Sequence, residues 1–212
     1  MTGRHAHRFT APHRVTGVTE NTGYRPGFTA PTLILMADGR QLPISCLHRG
    51  DEVQNHLGGV SRVLNLSVQR LGSRRLCGFN AEAPFFTESQ RFLATDGWRT
   101  LNQDVSCSHR LRYRLGPLLS GCRLLHWNNG YRKRPGERDE GATPLINAYD
   151  IEHIEQRQLS PATQVYCLEF EEECVIIADG FLAHCPPEGT VWGKPDMETP
   201  LNAVNSHRRY QH

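Results

Sequence analysis

The chain has 212 residues, enough for one sizeable domain or two small ones. Apolar residues make up 38% and charged residues 22% of it, and the formal net charge of +2 is ordinary for a water-soluble protein. With 19 glycines and 13 prolines, chain breakers come too often for a helical bundle. Since no apolar run approaches the ~20 residues of a membrane span, we expect a protein that contacts no membrane, is not secreted and stays in the cytoplasm of its producing cell.

The cysteines favour reduced thiols. There are seven of them, an odd number that cannot all pair within one chain, and no two form a C-x-x-C motif. This pattern argues against a closed zinc site and for a cytosol-like compartment. Two pairs of possible metal ligands, His5 with His7 and Cys107 with His109, lack a partner pair at zinc-site spacing. We therefore expect neither a metal nor another cofactor.

Three zones follow one another along the chain. Residues 1–26 are basic, contain Thr, Gly and Pro throughout and show no periodicity, which predicts an extended arm. Residues 27–185 alternate short apolar segments with turn signals and predict a mostly β domain. Residues 186–212 begin with two prolines, carry few core residues and predict a tail. Hairpin turns within the β zone are predicted at three Asp-Gly steps, Asp38-Gly39, Asp96-Gly97 and Asp179-Gly180.

A basic stretch interrupts the β zone. Between Arg110 and Arg134 lie seven basic residues and no acidic one. Three of the arginines alternate with apolar residues, so a strand here would place three guanidinium groups on one face. Together with nearby aromatic rings, such a face could bind single-stranded nucleic acid. The alternative is a solvated strand face whose positive charge balances the acidic residues of segment 169–173. The candidate contact residues are Arg110, Arg112, Arg114, Arg132, Lys133 and Arg134.

Three segments, in this order, resemble the Hint family, the self-processing domains of Hedgehog proteins and inteins. Residues 27–53 are similar to the opening of an intein, residues 84–98 to its T-x-x-H block with the trailing D-G-W, and residues 165–185 to its closing segment. The resemblance covers about three quarters of the chain, with 101–146 as a divergent insertion. It implies an all-β, horseshoe-shaped domain of short strands whose two ends meet at a central cleft, so Gly27 and Cys185 should lie close together.

The catalytic positions of the family are where this sequence differs from it. Gly27 stands where a Cys or Ser would attack the preceding carbonyl, and Gln90 where a histidine would transfer a proton. Cys185 replaces the asparagine whose side-chain amide cyclises, and a thiol there would have to close a strained four-membered ring. Thr87 and His184 match the family. We therefore expect no catalytic residue and no enzyme activity.

An alternative retains some chemistry. Cys167 replaces the usual aspartate of the closing segment, and a minority class of inteins attacks from this position. A residual self-cleaving or thiol-dependent processing activity would use Cys167 or Cys185 with His184. Against it, Phe92 and Ala183 stand where that class carries Trp and Thr, and a cysteine on a strand is ordinarily a buried, inert thiol.

The sequence thus favours a non-enzymatic structural or assembly protein built on a degenerate Hint-like fold. The resemblance extends to short stand-alone Hint-like proteins of phages and prophages, which suggests a virion or tail component that becomes virion-associated. Expected partners are other structural proteins or further copies of the chain, bound through the arm 1–26 and the tail 186–212. The leucine pairs at 118–119 and 124–125 are expected to cover a sheet edge or to meet a partner.

Overall fold

The computed structural model describes residues 25–103, 106–107, 115–132, 143–190 and 192–193. Within these ranges the secondary structure is β, apart from turns and a single-turn 3₁₀ helix at Ile44–Cys46. The all-β class predicted from the short apolar segments and their turn signals is confirmed. In the same ranges, no helix has the length and apolar character needed to cross a membrane.

The strands have the following bounds. In chain order they are β1 (Leu33–Leu35), β2 (Gln41–Pro43), β3 (Glu52–Gln54), β4 (Val60–Arg62), β5 (Asn65–Arg70), β6 (Leu76–Phe79), β7 (Phe86–Thr87), β8 (Arg91–Ala94), β9 (Gly97–Thr100), β10 (Ser106–Cys107), β11 (Leu115–Pro117), β12 (Arg123–Arg132), β13 (Thr143–Asp150), β14 (Ile154–Arg157), β15 (Gln164–Glu169), β16 (Cys174–Ala178), β17 (Phe181–Cys185) and β18 (Trp192–Gly193).

The main sheet of the described residues has nine strands, in the order β11-β9-β8-β12-β17-β16-β1-β2, with β13 paired to β12. Each predicted Asp-Gly turn joins two antiparallel neighbours in it: β1 to β2, β8 to β9, and β16 to β17. At the last of these turns Asp179 and Gly180 have φ values of 45° and 82°, the left-handed conformation that a two-residue hairpin requires. The three hairpin predictions are confirmed.

Among the described residues, four smaller sheets accompany the main one, and three of their strands, β3, β7 and β15, belong to the family-like segments. The four sheets are β14-β6-β7, β15-β5, β3-β4 and β10-β18. In the β15–β5 ladder Cys167 lies opposite Ser67. The β10–β18 pair joins the insertion to residues that follow the closing segment, with Ser106 opposite Gly193.

The insertion contributes an inner strand to the main sheet. β12 pairs with β13, β8 and β17. Leu124 on this strand and Leu118 before it are 0% and 1% exposed and belong to the core. The prediction that the leucine pairs cover a sheet edge is therefore wrong for Leu124, because β12 lies inside the sheet, whereas Leu118 directly follows the edge strand β11. Leu119 is 58% exposed.

The nucleic-acid candidates fall largely outside this description. Arg132 is the last residue of β12, opposite Thr143, and only its backbone is described. The remaining candidates, Arg110, Arg112, Arg114, Lys133 and Arg134, lie outside the described residues.

Apolar side chains cover both faces of the β16–β17 hairpin. One face joins an aromatic core in which the ring centroids of Phe79 and Phe181 are 4.9 Å apart and those of Phe86 and Phe92 are 4.8 Å apart. The other face contributes Ile177 and Leu182 to a second cluster, because successive residues of a strand point to opposite sides. The closing segment of the domain is therefore buried from both sides.

Candidate functional site

Gly27, which the sequence resemblance assigns to the position of the family nucleophile, is held between β7 and β15 by its backbone. Its N–H donates to Thr87 Oγ1 at 3.1 Å, and its carbonyl accepts from the Thr87 N–H at 2.9 Å. The next residue, Phe28, exchanges two backbone hydrogen bonds of 2.8 Å with Tyr166. A Cβ on Gly27 would lie 2.8 Å from the carbonyl oxygen of Tyr166 and 2.6 Å from Val165 Cγ1. Since one of these contacts is with backbone, a side chain at position 27 requires β15 to move.

The two residues before this glycine are fixed by buried polar side chains. Arg74 donates from Nη1 to the Arg25 carbonyl at 2.6 Å, and its other nitrogens bond to backbone carbonyls near the end of β5. Burial lowers the pKa of Arg74 to about 10, so the guanidinium remains charged at neutral pH. The Gln69 side-chain amide lies 3.4 Å from the carbonyl oxygens of Arg25 and Pro26. The peptide that a processing domain would cut is thus anchored on its upstream side.

Gln90, which the sequence resemblance assigns to the position of the block histidine, uses its side-chain amide to bind backbone. It is 1% exposed, and Nε2 donates to the carbonyls of His184 at 2.9 Å and Arg91 at 3.1 Å. Both amide hydrogens are therefore engaged. Its own N–H donates to the Thr87 carbonyl at 2.8 Å. Because Thr87 also binds Gly27, a short chain of hydrogen bonds connects the opening and closing segments of the domain.

His184 is buried on β17 and contacts a carboxylate. It is 2% exposed, and its Nε2 lies 2.9 Å from Glu173 Oε1. The ring meets Trp98 edge to face, with centroids 5.7 Å apart. Sequence reasoning did not identify Glu173 or Trp98 as neighbours of this histidine. Trp98 belongs to the D-G-W of the second family-like segment, so a signal was present, whereas only the register of β16 and β17 brings Glu173 to the site.

The two candidate thiols are enclosed. Cys167 is 3% exposed and Cys185 1% exposed. Burial raises the pKa of Cys167, although the guanidinium groups of Arg25 and Arg74 act in the opposite direction. Burial also raises the pKa of Cys185, and the neighbouring thiols Cys167 and Cys174 raise it further. Both sulfurs therefore carry their protons at neutral pH, whereas a sulfur nucleophile has to be a thiolate.

An ion pair lies beside Cys167 and orders the start of the domain. The Arg25 guanidinium pairs with the carboxylate of Glu169, which is 3% exposed, and the Asn65 side-chain amide donates to the other oxygen of that carboxylate at 3.1 Å. A buried pair with supporting hydrogen bonds is costly to break, because the remaining charge loses its partner. The cation beside Cys167 is therefore already paired with a carboxylate.

The described residues contain no group of three or more His, Cys, Asp and Glu side chains arranged to hold a metal ion. Of the metal-ligand candidates from the sequence, His5, His7 and His109 lie outside the described residues, and only the backbone of Cys107 is described, in β10.

Comparison with known proteins finds this architecture among solved structures. No protein-family model matches the chain, and no curated protein matches its sequence. The solution structure of a bacterial intein-like domain from Clostridium thermocellum is similar, with 18% identity and a TM-score of 0.50 over 74% of this chain and 97% of the other. A gp41-1 intein (15% identity, TM-score 0.45, 76% and 98% covered) and the Ssp DnaB mini-intein variant M86 (15%, 0.47, 76% and 93%) are also similar. The chain therefore has the intein-like Hint fold.

Proposed function

We propose that this protein is a Hint domain that does not process itself and that serves as a structural or assembly protein. The observation that carries the proposal is the closed position 27. A side chain there would meet the carbonyl oxygen of Tyr166 at 2.8 Å, so the site has neither a nucleophile nor room for one. An acyl shift needs a side-chain nucleophile at this position, and a substitution there would first have to displace β15.

The closing end supports the same proposal through its chemistry. Gln90 offers an amide, already bonded to two carbonyls, where proton transfer needs a group that titrates near neutrality. Cys185 is a protonated thiol in the core. Since groups that act as a unit lose most of their rate when a single member is removed, several simultaneous replacements leave little activity to expect.

Intact-mass analysis tests this proposal. The full chain is incubated for days with dithiothreitol, which traps thioesters, and we expect only the mass of all 212 residues. A fragment beginning at Gly27 or ending at Cys185 would overturn the proposal. Repeating the incubation with Cys167→Ala and His184→Ala then assigns the cause. Loss of the fragment in Cys167→Ala identifies an alternative nucleophile, whereas survival in both variants identifies a contaminating protease.

The assembly role rests on the segments outside the domain. Within the arm and the tail, residues 1–24 and 194–212 have little apolar sequence with which to build a core of their own, so an ordered state for them requires docking on another surface. The partner we propose is another copy of the chain or another structural protein, and a phage virion or tail is the setting that the sequence resemblance suggests.

Truncations test the assembly role. Deleting residues 1–24 or 194–212 spares Arg25, Pro26 and β18, which the rest of the domain binds. We expect the full chain to associate in light scattering after gel filtration and each truncation to remain folded but to lose this association. Normal association by both truncations would exclude the terminal segments as the contact.

A further inference from the structure

Two cysteines face each other at the open end of the β16–β17 hairpin. Cys174 begins β16 and Cys185 ends β17, and the two residues are directly opposed in the antiparallel register. Opposed residues of an antiparallel pair project their side chains on the same face, with Cα atoms about 4.5–5.5 Å apart. This separation lies within the range of roughly 4.4–6.8 Å spanned by disulfides, so the register sets the two cysteines at a spacing that a disulfide can bridge.

One of the two cysteines lines a cleft that is open to solvent. Cys174 is 7% exposed and lies in the wall of a cleft of about 460 Å³, between the β3–β4 hairpin and the turn that carries Glu171, Glu172 and Glu173. Its thiol lies 3.2 Å from Ser61 Oγ, and Ser61 lines the same cleft. Cys185 is 1% exposed. A small oxidant entering the cleft therefore meets Cys174 before Cys185.

We propose that Cys174 and Cys185 form a reversible disulfide when the protein meets a small-molecule disulfide such as oxidised glutathione. The Cys174 thiolate attacks one sulfur of the oxidant, breaks its S–S bond and releases one glutathione thiolate. The Cys185 thiolate then attacks Sγ of Cys174 and releases the second glutathione. Two cysteine thiols are oxidised, one glutathione disulfide is reduced, and the two protons from the cysteines end on the two glutathione thiols.

The surroundings predict how the rate depends on pH. Burial raises the pKa of Cys174, against the effect of its hydrogen bond to Ser61, and burial together with the neighbouring thiols raises the pKa of Cys185. Since the attacking species is the thiolate, the bond forms slowly at neutral pH and faster as the pH rises. The product links the last residue pair of the hairpin.

Cys167 is the competing partner. It is buried on β15 and near enough to raise the pKa of Cys185, but it belongs to a different ladder and lies opposite Ser67. Strand register thus selects Cys174, whereas mere proximity in the core would allow Cys167. The identity of the linked pair decides between the two.

Disulfide mapping of the native full chain tests the proposal. The protein is incubated with oxidised glutathione at mildly alkaline pH, remaining thiols are alkylated, and chymotrypsin, which cuts after Phe170 and Phe181, separates the three cysteines. We expect one linked pair of peptides containing Cys174 and Cys185, two hydrogen atoms lighter than the two free-thiol peptides together. The link should persist in Cys167→Ser and Cys46→Ser and disappear in Cys174→Ser.

The wild-type map suffices even where a variant fails to fold. Oxidation in denaturant is the control, since an unfolded chain scatters its links among many pairs. A native link from Cys167 to Cys185, or a Cys174 that stays in a mixed disulfide with glutathione, would overturn the proposal. So would two free thiols at 174 and 185 in a chain whose exposed Cys46 has reacted.

Discussion

The two ends of this domain differ in how they depart from a processing site. At the opening end position 27 is a glycine, and β15 occupies the space that a side chain there would need. At the closing end a histidine is still present, but it is buried against Glu173, and the cysteine beside it belongs to the core. At the opening end the obstacle is therefore steric, whereas at the closing end it is the burial of His184 and of the Cys185 thiol. The two obstacles predict different responses to substitution and to pH.

Alkaline pH should produce the largest effect, through the buried thiols Cys77 and Cys185. Burial raises the pKa of Cys77, opposite Phe86 at the opening side, from its ordinary 9.0 to about 12, and burial also raises that of Cys185. Above pH 9 the unfolded chain releases these protons while the folded chain retains them, so stability falls as the pH rises. For Cys77 the loss is roughly 1.4 kcal/mol per pH unit and about 4 kcal/mol by pH 12.

Urea unfolding between pH 8 and pH 11 measures this loss. The free energy of unfolding falls with pH in proportion to the number of protons that the unfolded chain releases and the folded chain keeps. Cys77→Ala and Cys185→Ala should each reduce this number by one relative to the wild type, whatever their effect on stability at pH 8. A slope unchanged by Cys185→Ala would mean that folding does not raise the pKa of Cys185.

Gly27→Ala tests the steric obstacle at the opening end. The new methyl group meets the Tyr166 carbonyl, and we expect the free energy of unfolding to fall by about 1–3 kcal/mol. Gly130→Ala on β12 is the matched control, because its Cβ would meet the Leu145 side chain at 3.3 Å and backbone no nearer than the Asn128 oxygen at 3.9 Å, an ordinary contact. Equal stability of the two variants would show that position 27 is open. Gly27→Cys should be destabilised like Gly27→Ala and should yield no cleaved fragment.

Gln90→Leu tests the link between the two ends. Losing the amide leaves the buried carbonyls of His184 and Arg91 without this donor, which should cost about 1–2 kcal/mol in chemical denaturation. Gln41→Leu removes an exposed amide that contacts Asn129 and should change stability by no more than about 0.5 kcal/mol. If Gln90→Leu behaved like this control, the hydrogen-bonded connection between Thr87 and His184 would not contribute to the stability of the fold.

Glu173→Gln should have the smallest effect. The carboxylate is partly exposed, so water screens its pairing with His184, and we expect a loss of about 0.5–1 kcal/mol in the same measurement. The neighbouring Glu172→Gln changes an exposed side chain and should leave stability unaltered. A loss of several kcal/mol in Glu173→Gln would instead indicate that this pair stabilises the whole closing end.

Local signals in the sequence predicted the fold well, and long-range geometry explains what they missed. The steps Asp38-Gly39, Asp96-Gly97 and Asp179-Gly180 predict their turns correctly because the backbone conformation of a short hairpin depends on the residues within it. The obstruction at Gly27 comes from Tyr166, and the partner of His184 is Glu173, contacts that no local pattern encodes. Leu124 was misjudged for the same reason, since only the pairing of β12 with β8 and β17 shows it to be internal.

The pairing of residues beyond Cys185 has a practical consequence for detecting a broken chain. The Phe170 N–H binds the Pro186 carbonyl, the Glu188 N–H binds the Phe170 carbonyl, and β18 pairs with β10. A break after Cys185 would leave the downstream piece attached by these contacts, as a nicked complex of native size. Gel filtration would therefore register an uncut protein, and only methods that unfold the chain could count the pieces.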